Sequence, residues 1–222
     1  MSIISEDLKI AGLDEAGRGP VVGPMIIAAL LFTEKEALYF LKLAGVKDSK
    51  KLLPKKREKL SKMILNKAKN TLIVILNPPT IDAYIANSSL TALEAEIFAL
   101  ALNILKPDVA YIDAASINAE SFKKNIAKRL HVTSITLVCE HKADDKYLAT
   151  AAASIIAKVM RDQLISSIKR FLGNIGSGYP SDPLTRKIIG DKKIIKEYKN
   201  FFRISWRTIR NSIYSVDILS FT

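Results

Sequence analysis

Short apolar runs bounded by breakers mark the first two thirds of the chain. Leu8 to Leu13, Met25 to Phe32, Thr71 to Leu76, Val109 to Ile112 and Ser134 to Cys139 are rich in Ile, Val and Leu. That pattern predicts buried strands. The first two flank a glycine- and proline-rich loop and are expected to pair antiparallel. Later strands alternate with helical patterns, which implies right-handed crossovers and a mixed sheet covered by helices, an α/β fold. Pro54 suits the first position of a helix whose Leu60, Met63, Ile64 and Ala68 share one face, with lysines opposite. Asn118 can cap a helix whose apolar face is Phe122, Ile126 and Leu130. The stretch from Tyr147 to Leu172 reads as a long helix. It opens on Ala149, Ala151, Ala152 and Ala153, small enough to lie close against a sheet.

The pattern breaks at "GNIGSGYPSDP", residues 173–183, where three glycines and two prolines cannot continue a helix. Beyond it Asp182 can cap and Pro183 can start a helix, and two or three basic helices should run to about Tyr214. The expected organisation is an α/β domain over residues 1–173 and a small helical extension over 174–222, with no internal repeat. Charge then adds a partner class. Thirty-four Lys and Arg stand against 22 Asp and Glu, for a net charge of +12 and a pI near 9.7. Such a surplus favours a polyanion, nucleic acid first; a lysine-rich solvated surface of a heat-adapted protein is the competing explanation. The start "MSIISEDLKI" has acids where an export signal needs a basic end. The longest apolar stretch, "VVGPMIIAALLF", is 12 residues long and broken by Gly23 and Pro24, too short to cross a bilayer. Cys139 is the only cysteine, which excludes a disulfide within the chain and cysteine-based zinc sites. These features predict a cytoplasmic, reduced protein without a membrane partner, and a monomer is expected.

The chemistry lies at strand ends. "GRGPVVG", residues 17–23, resembles a nucleotide loop, but its third glycine comes one place late for a dinucleotide turn and it lacks the G-K-[ST] of a phosphate loop. What remains is a loop without bulk that can approach a ligand closely, with Arg18 available for a phosphate. "IAGLD" and "VAYID" are both apolar strands ending in an aspartate, Asp14 and Asp113. If the strands are neighbours, the carboxylates meet at one sheet edge, where burying two like charges is costly without a cation. Oxygen-only ligands suit Mg²⁺ or Mn²⁺; the alternative is that each aspartate caps a neighbouring loop. Glu15 joins Asp14 only if the strand ends or bulges there, because adjacent strand residues point to opposite faces. "EHKADDKY" offers Glu140, Asp144 and Asp145 beyond another strand. His131 reads as a surface residue, and His141 lies nearer the proposed site. The two are not spaced as a zinc pair.

Together the motifs resemble one family, ribonuclease HII, most closely in its archaeal form. "GLDEAGRGPVVGPMIIAA", "KDSKKL", "YIDAAS", "HKADDKYLATAAASIIAKVMRD" and "GSGYPSDP" are similar to its blocks, in family order from about Ile10 to Trp206. The resemblance implies an RNase H-like fold with a helical C-terminal extension. It also implies endonucleolytic cleavage of the RNA strand in RNA·DNA hybrids and at single ribonucleotides embedded in duplex DNA, leaving 3′-hydroxyl and 5′-phosphate ends. The family's metal-binding and catalytic acids fall on Asp14, Glu15, Asp113 and Asp144, which would hold two divalent ions. Its substrate-binding element falls on Gly17, Arg18 and Gly19, its substrate-reading tyrosine on Tyr179, and a lysine near the scissile phosphate on Lys50. Arg203, Arg207 and Arg210 are expected to track the duplex backbone. Where the family has "YPVVSAAS" this chain has "YLATAAAS". The rival functions are a DNA-directed nuclease of RNase H-like fold and a non-catalytic nucleic-acid binder. The last residues, "SVDILSFT", match a sliding-clamp peptide only at Ile218 and Phe221, with Ser215 in place of the usual glutamine and Thr222 in place of the second aromatic. A frayed tail is the other reading.

Overall fold

The computed structural model describes residues 8–46, 53–132 and 134–214. Lys50 and the tail bearing Ile218 and Phe221 lie outside them. In chain order the elements are β1 (Lys9–Ala16), β2 (Met25–Thr33), α1 (Glu34–Glu36) with a π-helical turn (Ala37–Leu41), α2 (Pro54–Lys67), β3 (Asn70–Leu76), α3 (Pro78–Ile85) and α4 (Leu90–Leu105). There follow β4 (Val109–Asp113), α5 (Ala119–Ala127), β5 (Thr136–Glu140), α6 (Ala143–Lys146), α7 (Leu148–Leu172), α8 (Pro183–Ile189), α9 (Lys192–Glu197), a 3₁₀ turn (Lys199–Phe201) and α10 (Arg207–Tyr214).

One mixed sheet runs in the order β3-β2-β1-β4-β5. β1 and β2 pair antiparallel without interruption from Lys9 opposite Thr33 to Ala16 opposite Ile26, as the loop between them implied. β1–β4 and β4–β5 are parallel, with Leu13 opposite Ile112 and Asp113 opposite Glu140. All nine residues of β2 are buried, which accounts for its unbroken apolar run.

Contacts divide the chain into two compact units. The first takes residues 1–16, 26–74 and 91–160; the second takes 17–25, 75–90 and 161–222. The described part of the expected 174–222 extension lies within the second, which also includes the glycine loop and the second half of α7. In the first unit, α7 packs on β1 so closely that a Cβ on Gly12 would sit 2.0 Å from the carbonyl carbon of Ala149. Only glycine facing a run of alanines permits that approach, so the alanine cluster is packing. Asn118 caps α5 through a 2.9 Å bond from the Ser121 amide, and Phe122 and Ile126 are buried, but the helix ends before Leu130. On α2, Leu60 and Ile64 are buried while Met63 is exposed and Ala68 is the C-cap, so the buried face is narrower than expected and is completed by Arg57 and Ser61. Residues 77–108, to which the sequence pattern assigned no element, form α3 and α4. The second unit has its own core of Val21, Val22, Ile165, Ile168, Ile175, Ile188 and Phe202, among others. Asp182 caps α8 as expected, accepting from the Leu184 and Thr185 amides.

Candidate active site

Asp14 and Asp113 each lie one residue past the last β1–β4 pair, Leu13 and Ile112, at the carboxyl ends of adjacent parallel strands. Side chains in register face one side of a sheet, so the two carboxylates converge. Asp144 enters from the single turn of α6, which is tied back by the Ala143 amide donating to Asp113 Oδ1 at 3.1 Å. One carboxylate oxygen from each of Asp14, Asp113 and Asp144 lies within 4.8 Å of the others. Asp14 is only 4% exposed. Burial first, then the neighbouring Asp113 and Asp144 charges, push its carboxyl up from 3.8 to about 7, against opposing hydrogen bonds from Ser154 and the Glu15 amide. Three converging carboxylates, one of them buried, form a site that a cation would stabilise, and the all-oxygen donor set suits a hard divalent ion.

Glu15 stands outside that group of three. The condition for its joining Asp14 was a strand end or bulge, and the β1–β2 register instead continues regularly through Ala16. Its amide donates to Asp14 Oδ1 at 2.7 Å. Ser154 is a site residue that sequence reasoning missed; its only signal was a hydroxyl at the end of the alanine run of α7, which Thr150 also shares. His141 is exposed, with Nε2 3.1 Å from the Ile117 carbonyl, and His131 is exposed as expected. Burial, and after it the neighbouring Asp113 charge, pushes the Cys139 thiol up to about 12.

In the second unit, Gly17, Arg18 and Gly19 are fixed from below by a residue expected to bind phosphates. Arg203 is fully buried, and this corrects the expectation that it tracks a duplex. Its Nη1 donates to the Arg18 carbonyl at 2.8 Å, its Nη2 to the Gly17 carbonyl and its Nε to the Gly23 carbonyl at 3.2 Å. Its guanidinium also lies 4.9 Å from the Trp206 ring centroid. Asp82 accepts from the Ile204 and Ser205 amides and so anchors the segment that follows. Arg207 and Arg210 are exposed.

The loop is also zipped to the tyrosine. Val21 and Val22 amides both donate to the Gly178 carbonyl, and Tyr179 is the next residue. A Cβ on Gly19 would sit 3.4 Å from Tyr179 Cε1, so glycine leaves a gap beside the ring, which is 39% exposed. Arg161, 7% exposed, lies with its guanidinium 5.5 Å from the Tyr179 ring centroid and donates to the Ser177 carbonyl at 3.2 Å. At Gly17, where φ is +88°, a Cβ would fall 2.5 Å from Arg161 Nε, so both backbone conformation and space demand glycine there. Loop and tyrosine thus form one fixed frame.

Comparison with known proteins follows the same lines. The family model described as Ribonuclease HII matches residues 11–209. The Ribonuclease HII of Thermococcus sibiricus is 47% identical over 208 residues, covering 91% of this chain and 90% of that protein. That of Pyrococcus furiosus is 43% identical over 208 residues, with the same shares. Among solved structures, ribonuclease H2 from Pyrococcus horikoshii OT3 matches with a TM-score of 0.84 at 40% identity, covering 93% of this chain and 97% of that one. The PCNA:RNase HII complex from Archaeoglobus fulgidus matches with a TM-score of 0.81 at 36% identity, covering 90% and 96%. Bst-RNase HIII in complex with Mn²⁺, 18% identical with a TM-score of 0.73, shares the fold. The family model and the relatives span the strands that carry the acids and the loop that follows them, and the chain belongs to the ribonuclease HII family.

Proposed function

We propose that this chain hydrolyses the RNA strand of RNA·DNA hybrids and nicks duplex DNA at an embedded ribonucleotide, using a divalent-cation site built on Asp14, Asp113 and Asp144. The observation that carries the reading is the convergence of these three carboxylates, from positions spread over 131 residues of chain, within 4.8 Å. A divalent cation held there would supply charge stabilisation at the scissile phosphate and a water made acidic enough to attack at neutral pH. Mg²⁺ and Mn²⁺ both fit the donor set.

The protein's own contributions follow from placement. Asp14 gives a buried, rigid carboxylate whose orientation is held by Ser154 and the Glu15 amide. Asp113 and Asp144 come from elements tied together through the Ala143 amide. Glu15 is proposed as the fourth acid on family resemblance, acting from beside the three. The Gly17–Gly19 loop and Tyr179 form the proposed ribose reader, since the 2′-hydroxyl is the group that separates RNA from DNA. Arg18, Arg207, Arg210 and the "KDSKK" lysines, including Lys50, are assigned to the phosphates of the duplex.

The enzyme is placed in the cytoplasm, working as a monomer. No single helix among the described residues is long and apolar enough to cross a membrane. A sliding clamp is its proposed protein partner through Ile218 and Phe221. The Archaeoglobus relative solved as a PCNA:RNase HII complex supports that reading over a frayed tail.

The test is incubation with Mg²⁺ and a labelled duplex bearing one ribonucleotide, beside an all-DNA duplex. A single nick at the ribonucleotide, absent from the all-DNA duplex and from Asp14→Asn, is expected. Cutting of both duplexes would instead favour a DNA-directed nuclease, and binding without cutting a non-catalytic protein.

A further inference from the structure

Asp144 sits on weak local structure. α6 is four residues long, too short to sustain itself as a helix. It is entered through Lys142, a non-glycine residue in the left-handed region at φ 56°, ψ 38°. That conformation costs about 1–2 kcal/mol for a residue with a side chain. The junction into α7 carries Leu148, with no proline to stiffen it. A metal ligand on such a turn has to be held from outside.

The holding group is Glu140, the last residue of β5, which lies opposite Asp113 in the β4–β5 register. Its Oε2 accepts from Lys146 Nζ and its Oε1 accepts from the Tyr147 hydroxyl at 3.0 Å. These donors are the last residue of α6 and the next residue of the chain. Tyr147 in turn stacks on Tyr111 of β4, with ring centroids 4.1 Å apart and planes inclined by 18°. The start of α6 is pinned by Ala143, fully buried, whose amide donates to Asp113. Both ends of the turn are therefore fastened to β4 and β5, the C-terminal end through the Glu140 carboxylate and the stacking of Tyr147 on Tyr111. The hydrogen bond from Lys146 is the main cause that holds the Glu140 carboxyl below its ordinary range.

We infer that Glu140 is a positioning residue for the metal site: its clasp on Lys146 and Tyr147 fixes the orientation of Asp144, and Glu140 is not itself a ligand. The inference rests on the proposed role of Asp144 as a metal ligand. A partly exposed ion pair contributes little to global stability, commonly about 0–1 kcal/mol. Outer groups that orient metal ligands, by contrast, change metal affinity about 10–100-fold when removed. The two effects can therefore be separated.

The experiment is calorimetric titration of the full chain with Mn²⁺, paired with thermal unfolding in EDTA, for Asp144→Asn, Glu140→Gln, Lys146→Met, Tyr147→Phe and the double variant Glu140→Gln/Lys146→Met. Asp144→Asn tests the underlying reading, and unchanged Mn²⁺ binding there would remove it whatever the other variants show. Given its loss, Glu140→Gln is expected to weaken Mn²⁺ binding about tenfold or more with a nearly unchanged melting temperature. Lys146→Met and Tyr147→Phe should weaken it in the same direction, and the double variant should be little worse than Glu140→Gln alone. Wild-type Mn²⁺ affinity in Glu140→Gln overturns the inference. So does a weakening confined to Glu140→Gln, which would make Glu140 a ligand, or one that follows a fall in melting temperature, which would make the clasp merely structural.

Discussion

Removing the charge of Asp14 should stabilise the metal-free protein while abolishing its activity. Without metal, burial and the adjacent acids raise its carboxyl from 3.8 to about 7. The shift spans about three decades of proton affinity. At about 1.4 kcal/mol per decade, the ionised side chain costs the folded state ~4 kcal/mol above neutral pH. The sign follows from proton counting. Between pH 4 and 7 the folded state binds the proton and the unfolded state does not, so metal-free stability falls as pH rises through that window and levels off above it. At pH 5 about two of the three decades are recovered, leaving a cost of ~1–2 kcal/mol. Asp14→Asn keeps an oxygen to accept from the Glu15 amide and never ionises. In EDTA at pH 8.5 it should melt above the wild type by roughly 5–10 °C, at about 2–4 °C per kcal/mol for a chain of this size, allowing for some lost hydrogen bonding. The gap should shrink by more than half at pH 5. Saturating Mn²⁺ should raise the wild type and close the gap at pH 8.5. Differential scanning calorimetry reads all three conditions. A variant that melts at or below the wild type at pH 8.5, or a gap independent of pH, would refute the account of a strained carboxylate cluster awaiting a cation.

Tyr179→Ala removes a partly exposed ring, so its melting temperature should change by no more than a few degrees. Its cleavage rate should fall chiefly on a duplex with one ribonucleotide, and an equal loss on long hybrids would count against ribose reading. Arg203→Lys replaces a planar fork on three carbonyls with a single ammonium. It should cost about 2–4 kcal/mol in urea unfolding, because carbonyls in a buried site lose donors, and wild-type stability would refute the anchoring role. Glu15→Gln should weaken Mn²⁺ binding less than Asp144→Asn in a titration, since the regular strand register sets Glu15 apart from the three converging acids. A larger effect would mean that the strand end rearranges when metal binds.

The sheet and two of its acids were legible because period and position agree. Asp14 and Asp113 each close an apolar run, and a mixed sheet brings neighbouring parallel strands to a common edge. Asp144 was less legible, since it rests on a one-turn helix whose geometry depends on Glu140 and Asp113, far from any local pattern. α4 was hidden for the opposite reason. "LTALEAEIFALALNIL" is apolar on nearly every side, so no single face announces a helix, even though Leu93, Phe98 and Leu102 are buried. Ser154 had only its position among alanines to suggest a role.

Net charge misled most where arginine was concerned. A basic chain invites every cation to be assigned to phosphate, yet Arg57, Arg161 and Arg203 are all buried. Arg203 is bonded to backbone carbonyls, which leave no mark in a sequence because every residue has one. Arg161 lies under Gly17 and Gly178 and against Tyr179, so its cation supports the proposed substrate loop from behind. Asp14 and Glu94 are buried too, so the +12 surplus is nearly unchanged at the surface, but these three arginines are not part of what meets a polyanion. The guanidinium fork suits both uses, since its planar donors match a pair of carbonyls as readily as a phosphate. Burial, rather than residue type, decides which of the two a given arginine serves.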